Sequence, residues 1–167
     1  MRSNTEYQAQ LTSLRTTALF LALTLIFGLL FTWRVSLSGF DAWSAIFLCL
    51  AAIFLFYTLN YRVLLIQITP QILRLKFGVF IWTERLDNIA SCTLDQLPWF
   101  LQYGGAGIHF MTAHGRYRAS FNFLEYPRVV LALKRKRGLV SDLSFSMQHP
   151  EQVIQIIQAR ISMQHTQ

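Results

Sequence analysis

The stretch that decides the fold is TTALFLALTLIFGLLFTW, residues 16–33, together with AWSAIFLCLAAIFLFYTL, residues 42–59. Each run has 18 residues and no charged side chain. A helix of this length rises about 27 Å, which is close to the thickness of a bilayer's hydrocarbon core. The eight residues between the runs, 34–41, are enough for a turn but not for a domain. We therefore predict two antiparallel membrane-spanning helices, a transmembrane hairpin occupying residues 16–60.

Composition separates this hairpin from the remainder of the chain. The 167 residues are 53% hydrophobic and 14% charged, more apolar than a soluble domain of this size, and the excess lies before Asn60. Residues 61–167 are enough for one compact domain with its own core. From Asn60 onward there are 12 Lys and Arg against 6 Asp and Glu, which accounts for +6 of the net charge of +7. A basic domain beside a membrane favours anionic lipid over nucleic acid as its partner.

The N-terminal segment, residues 1–15, is polar and is predicted to be a short leader, partly disordered or lying at the membrane interface. A cleaved signal peptide is the alternative for the first run, but the length of the run, the missing Ala-x-Ala site and the second run argue against it.

The cations that flank the two runs predict the orientation of the hairpin in the membrane. The connecting segment contains only Arg34, whereas five cations lie on the other side, namely Arg2, Arg15, Arg62, Arg74 and Lys76. Because cytoplasmic flanks carry the excess of Lys and Arg, we predict that both termini are cytoplasmic.

Beyond residue 60 the apolar residues alternate with a period of two, which is typical of strands. The predicted strands are residues 63–69, 72–77, 79–85, 89–94, 108–112, 116–123, 129–134 and 139–145. Pro150 then takes the first position of a helix that carries an apolar stripe of Val153, Ile154, Ile157 and Ile161. The predicted fold class is α+β: the two-helix hairpin, then an antiparallel β-barrel or sandwich of about seven strands closed by a C-terminal helix.

Three short motifs in this strand-rich part carry a resemblance. They are RLDNI at residues 85–89, YGGAGI at residues 103–108 and HPE at residues 149–151. With two preceding spans, this pattern resembles the membrane-anchored bacterial pleckstrin-homology-like domain proteins. The resemblance implies a pleckstrin-homology fold of about seven strands in two sheets with one capping helix, in the bacterial inner membrane. It implies little about activity, and His109 stands where an Arg is common in similar proteins.

The most concentrated charge in the chain is Lys134, Arg135, Lys136 and Arg137, which we call the tetrabasic segment. It is predicted to lie at a hairpin tip, where four adjacent cations repel one another unless an anion compensates them. In a domain tied to a membrane, the nearest anions are lipid headgroups. The alternative is a solvated turn with no ligand. The residues that extend the patch in the first interpretation are Arg74, Lys76, Arg116 and Arg118.

The glycine-rich loop contains Gly104, Gly105 and Gly107. Such loops sometimes cradle a phosphate with backbone N–H groups. Here no Gly-Lys-Ser/Thr follows, and the next element is a predicted strand rather than a helix N-terminus. We therefore predict that these glycines are structural and adopt positive φ angles.

Two further groups of residues have a functional and a structural interpretation. Trp99 and Phe100 follow a proline in the irregular segment, so they either insert at an interface or dock a partner, or they plug the open end of the barrel. His109 and His114 are five residues apart in a predicted hairpin, hence on opposite faces, with no third ligand nearby. We predict no metal and no cofactor.

No combination of acid, base and nucleophile has a recognisable catalytic spacing, so we predict that the protein is not an enzyme. The function predicted from sequence is a membrane-anchored binding or scaffold module that presents a basic domain to the cytoplasmic face of the membrane. The alternative is an accessory or assembly subunit of a larger membrane complex. An enzyme of lipid or envelope metabolism is less favoured. The predicted partners are anionic lipids or other membrane subunits, and the oligomeric state stays open.

Overall fold

The computed structural model describes residues 5–96 and 106–165, with the side chains of residues 5–96 and 106–163. The protein is α+β, with two long apolar helices near its N-terminus, two β-sheets and a C-terminal helix. The elements are β1 (Tyr7–Thr12), α1 (Leu14–Ser38), α2 (Ala42–Asn60), β2 (Val63–Ile68), β3 (Ile72–Phe77), β4 (Phe80–Arg85), a 3-10 turn (Leu86–Asn88), β5 (Ile89–Leu94), β6 (Gly107–Ala113), β7 (Arg116–Asn122), β8 (Arg128–Arg137), β9 (Val140–Ser146) and α3 (Pro150–His165).

Helices α1 and α2 are long and apolar enough to span a membrane. With 25 residues, α1 is about 37 Å long, and it continues to Ser38, so our predicted end at residue 33 was too early. The residues that directly follow α1 explain why the turn is so short. The Asp41 carboxylate accepts the N–H of Ser44, and the Ser44 hydroxyl accepts the N–H of Asp41. This capping box starts α2 after only three linking residues, and the Arg34 guanidinium pairs with Asp41 across the turn.

The two helices are joined by aromatic packing and one polar contact. The rings of Phe27 and Phe54 stack with centroids 5.5 Å apart. The hydroxyl oxygens of Thr24 and Thr58 lie 3.4 Å apart across the helix pair. By contrast, a Cβ added to Gly28 would meet nothing within 4 Å, so this glycine is not required for the contact between α1 and α2.

Strand β1 corrects our expectation of a polar leader. Tyr7, Ala9 and Leu11 point toward the core, while the glutamines between them are exposed. β1 pairs antiparallel with β2, with Thr12 opposite Val63. The helix pair is therefore inserted between two neighbouring strands, where a β-hairpin would have its turn, and the β-domain contains chain from both sides of the insertion.

The two sheets correct two further expectations, the number of strands and their all-antiparallel pairing, and they decide between the barrel and the sandwich. One has four antiparallel strands in the order β1-β2-β3-β4, and the other has five in the order β5-β8-β9-β7-β6. The described ranges contain the eight strands predicted above and β1, hence nine strands where the predicted fold class had about seven, and β7 runs parallel to β9. The sheets do not close into a barrel. They pack face to face, and rings such as Phe77 and Phe123 meet with centroids 5.0 Å apart.

Helix α3 confirms the predicted apolar stripe. Val153 and Ile157 are fully buried in the core, and Ile154 and Ile161 are half-buried against it. The amide of Gln158 donates to the main-chain carbonyl oxygen of Cys92 at 3.1 Å, which holds the helix along the edge strand β5. An otherwise open edge of the five-stranded sheet is covered in this way.

The β-domain has two ends. At the end we call the junction, Gly78 contacts Asn60 at the close of α2, Gly107 contacts Tyr61, and the Glu125 carboxylate accepts the hydroxyl of Ser13 at the start of α1. The strands that leave the junction end at the opposite side of the domain. We call that side the distal pole, and it holds Arg85 with the turns after β6 and β8.

Candidate functional site

The tetrabasic segment forms the last four residues of β8 and not the hairpin tip. Pairing of Arg137 with Val140 places the turn at Gly138 and Leu139, and Gly138 has a φ of +61°. Glycine at the first central position favours a tight two-residue hairpin, so β8 runs three residues beyond its predicted end at 134. All four cationic side chains are exposed.

A cleft of about 670 Å³ lies along this strand end, which we call the distal cleft. Its lining residues are Thr83, Glu84, Arg85, Asp87, Asn88, Lys134, Arg135, Lys136 and Arg137. The Asn88 side chain ties its two walls together. Its amide donates to the carbonyl oxygen of Arg135 at 3.0 Å, and its oxygen accepts the N–H of Arg135 at 2.9 Å. The basic strand end is therefore held against the 3-10 turn.

The distal cleft contains five cations and two carboxylates, and both carboxylates already have partners. The Glu84 carboxylate is buried and accepts the Asn88 amide at 2.9 Å. The Arg85 guanidinium binds Asp87, and this hydrogen bond lowers the Asp87 pKa, so the group stays ionised. Within the described ranges, no ion pair involves the side chains of Lys134, Arg135 or Lys136.

Arg137 differs from the other three cations in the segment. Its guanidinium carbon lies 4.6 Å from the centroid of the Trp82 ring, and one of its N–H groups donates to the carbonyl oxygen of Thr83. Because β4 is an edge strand, this donor occupies an acceptor that no neighbouring strand uses. Arg137 thus closes one side of the distal cleft, and the remaining cations face outward.

Arg116 and Arg118 were expected to extend the tetrabasic patch. Arg116 does lie beside Lys136, in a smaller surface cleft of about 430 Å³, but its charge is paired, and Arg118 is buried away from the patch. Arg116 Nε lies 2.6 Å from Asp142 Oδ1. Arg118 is only 4% exposed, and its Nη1 lies 3.1 Å from Asp95 Oδ1. Arg74 is exposed on the outer face of the four-stranded sheet, away from the distal cleft. None of these three guanidinium groups adds to the lining of that cleft.

Sequence reasoning missed a buried polar face on the five-stranded sheet. Its residues are His109, Arg118, Ser120, Asn122, Arg128, Asp142, Ser144 and Ser146. In the sequence these polar residues alternate with apolar ones, which is typical of a strand with one solvated face, yet most of these polar side chains are buried. Among the described residues, His109 Nδ1, Arg118 Nε and the side-chain amide of Asn122 have no hydrogen-bond partner. Burial, with a smaller effect from the Arg128 charge, lowers the His109 pKa, so this imidazole favours its neutral form.

The remaining predicted site residues fall into two groups. Trp99, Phe100, Gly104 and Gly105 lie outside the described residues. Gly107 has a φ of +84°, and a Cβ there would lie 2.4 Å from two carbon atoms of the Tyr61 ring. Among the described residues, no three His, Cys, Asp or Glu side chains are grouped to hold a metal ion.

A second surface cleft of about 680 Å³, which we call the junction cleft, lies where the helix pair meets the outer face of the four-stranded sheet. Leu14 and Leu59 contribute from the helix ends, and Leu65 contributes from β2. Arg62 and Lys76 also line it, and neither forms an ion pair within the described ranges. In the sequence, Arg62 contributed only to the predicted orientation, and Lys76 contributed to the orientation and to the tetrabasic patch.

Searches against family models and curated proteins give no match to this chain.

Proposed function

We propose that the protein is a non-enzymatic binding module anchored in a bacterial inner membrane. α1 and α2 span the bilayer, and the β-domain, a pleckstrin-homology-like unit, stands on the cytoplasmic side with both termini. The lengths of the helices support the anchor. The ion pair between Arg34 and Asp41 supports the orientation, because it neutralises the one cation near the connecting turn, which lies in the last turns of α1. Two sheets closed by α3 support the likeness to the pleckstrin-homology fold.

The observation that carries the binding role is the position of the distal cleft. β8 has 10 residues, so the tetrabasic segment lies on the order of 20–30 Å from the junction end of that strand. Electrostatic attraction decays over a Debye length of about 8–10 Å at physiological salt. We therefore infer that these cations face the aqueous phase rather than the protein's own leaflet, so anionic lipid is not the partner proposed for them.

An acidic protein surface is the partner that this geometry fits. In the part of the chain that the structure describes, Lys134, Arg135 and Lys136 have no ion-pair partner, and the neighbouring Asp87 and Glu84 are already hydrogen-bonded. Arg135 can bind a carboxylate with two parallel hydrogen bonds, and Lys134 and Lys136 add charge, so acidic side chains suit this surface as ligands. The protein is in this view an accessory subunit that holds an acidic partner near the membrane.

Binding of a labelled deca-glutamate peptide tests this role in the full-length protein in phosphatidylcholine nanodiscs. Replacing Lys134, Arg135, Lys136 and Arg137 by Gln should weaken binding by about tenfold or more at low salt, since each lost contact contributes up to about 1 kcal/mol. The matched control replaces four exposed cations away from the cleft by Gln, namely Arg15, Arg62, Arg74 and Lys76. An equal loss in the control would mean that net charge alone attracts the peptide, which contradicts the proposal.

Topology is tested separately with reporter fusions. A reporter fused after Gln167 should behave as cytoplasmic, and a tag within residues 36–39 should be accessible from the periplasm. Alkaline-phosphatase activity from the C-terminal fusion would overturn the orientation.

A further inference from the structure

The junction cleft lies at the level where the two long helices end. Leu14 is the first residue of α1, and Leu59 is the penultimate residue of α2. Both side chains are open to the surroundings, with exposed fractions of 83% and 61%. If α1 and α2 span a bilayer as proposed above, these leucines mark the boundary between acyl chains and headgroups. The cleft then opens directly onto the headgroup layer.

The outer face of the four-stranded sheet carries a row of apolar side chains next to this boundary, beside the polar Gln10 and Thr12 of β1. Val63 and Leu65 occupy the outward positions of β2, which a sheet facing water usually fills with polar side chains. Ile81 continues the same row on β4 and is 49% exposed. Apolar side chains at these outward positions suit a lipid environment better than bulk water.

The two cations of the cleft lie beside these apolar side chains, which we call the apolar floor. Lys76 lies directly opposite Leu65 in the pairing of β2 with β3, and Arg62 follows the last turn of α2. Four of the nine arginines of the β-domain have a carboxylate partner, namely Arg85, Arg116, Arg118 and Arg160. Arg62 and Lys76 have none among the described residues, although both line one cleft.

We infer that the junction cleft binds the headgroup of an anionic phospholipid from the adjacent leaflet, with the lipid phosphate between Arg62 and Lys76 and the glycerol and upper acyl chain against Leu14, Leu59 and Leu65. A free phosphate would use the cations but not the apolar floor. The lipid uses both. This inference rests on the proposed membrane anchorage and assigns the lipid contact to the junction, whereas the tetrabasic segment binds a protein.

Native mass spectrometry of the full-length protein in mild detergent, with added phosphatidylglycerol or phosphatidylcholine, tests the site. The wild type should bind one phosphatidylglycerol in preference to phosphatidylcholine. Replacing Arg62 and Lys76 together by Gln should weaken that binding by about 10- to 30-fold, since each cation near the headgroup contributes about 1 kcal/mol. A large excess of inorganic phosphate should leave the lipid bound, and its displacement by phosphate would overturn the lipid assignment.

The matched control carries Lys134→Gln and Lys136→Gln, which remove the same charge from exposed positions at the distal pole. It should keep the preference for phosphatidylglycerol, and the thermal unfolding of both variants should match the wild type. Unchanged lipid binding in the Arg62→Gln, Lys76→Gln variant, or an equal loss in the control, would overturn the site. Carbonate washing of membranes separates this result from the anchorage. Wild type and variants should all stay in the pellet, and release of the wild type would contradict the proposed membrane function itself.

Discussion

The junction and the distal pole use glycine in the same backbone conformation but in different surroundings. Gly78 and Gly107 at the junction have φ angles of +59° and +84°, and Gly115 and Gly138 at the distal pole have φ angles of +73° and +61°. A Cβ at the junction glycines would meet atoms of Asn60 or Tyr61 at 2.4–2.5 Å, whereas nothing lies within 4 Å at the distal pair. The junction is therefore packed for stability, and the distal pole leaves its surface free for a partner.

The largest effect is expected from Gly107→Ala. The substitution places a methyl group against the buried Tyr61 ring and requires a positive φ, so it combines overpacking of about 1–3 kcal/mol with backbone strain of about 1–2 kcal/mol. Gly138→Ala is the matched control at the distal pole and carries only the strain, about 1–2 kcal/mol. Chemical denaturation in detergent micelles measures both losses. Equal losses at the two positions would remove the distinction between the two ends.

A smaller loss is expected from Ser13→Ala at the junction. The Ser13 hydroxyl is buried, accepts the N–H of Thr16 at 3.0 Å and donates to Glu125 at 2.6 Å, so it caps α1 and ties it to the loop after β7. Loss of such a cap costs about 0.5–2 kcal/mol. The comparison variant is Lys136→Ala. Because the Lys136 side chain is exposed, its unfolding free energy should stay within about 0.5 kcal/mol of the wild type. A neutral Ser13→Ala would show that the cap is not needed to hold α1 on the domain.

The same contact predicts a pH dependence. The hydrogen bond from Ser13, with help from the N–H of Arg15, lowers the Glu125 pKa below its usual value of 4.5. A carboxyl group whose pKa falls on folding stabilises the protein above its unfolded pKa, and this part of the stability is lost as the pH falls from about 4.5 toward the folded pKa. The unfolding free energies of wild type and Glu125→Gln should therefore converge as the pH decreases through this window. A difference that stays constant with pH would show that the Glu125 charge does not stabilise the junction.

The smallest effect is expected within the tetrabasic segment. Arg137→Gln removes the cation above Trp82 and should lower the unfolding free energy by about 0.5–1 kcal/mol. Lys136→Gln removes an exposed cation with no ion-pair partner in the described ranges and should stay within about 0.5 kcal/mol. The difference between the unfolding free energies of the two variants, obtained from their melting curves, measures the contribution of the contact between Arg137 and Trp82. A larger loss of unfolding free energy from Lys136→Gln than from Arg137→Gln would contradict a stabilising contact between Arg137 and Trp82.

The sequence by itself determined the features whose signal is local. Eighteen uncharged residues in each run predict the two helices, alternation with a period of two predicts most of the strands, and the spacing of Val153 and Ile157 predicts the buried stripe of α3. Each of these patterns is complete within one element, so no knowledge of the neighbours is needed.

Only the tertiary structure decided how distant segments meet. β1 resembles a polar leader until its pairing with β2 buries Leu11, and the parallel pairing of β7 with β9 brings Arg118 to Asp142. The tetrabasic segment and Arg118 are equally cationic in the sequence, yet one is exposed at the distal pole and the other is buried beside Asp95. Charge is a property of one residue, whereas burial and pairing depend on contacts across more than twenty residues of chain, which no local pattern encodes.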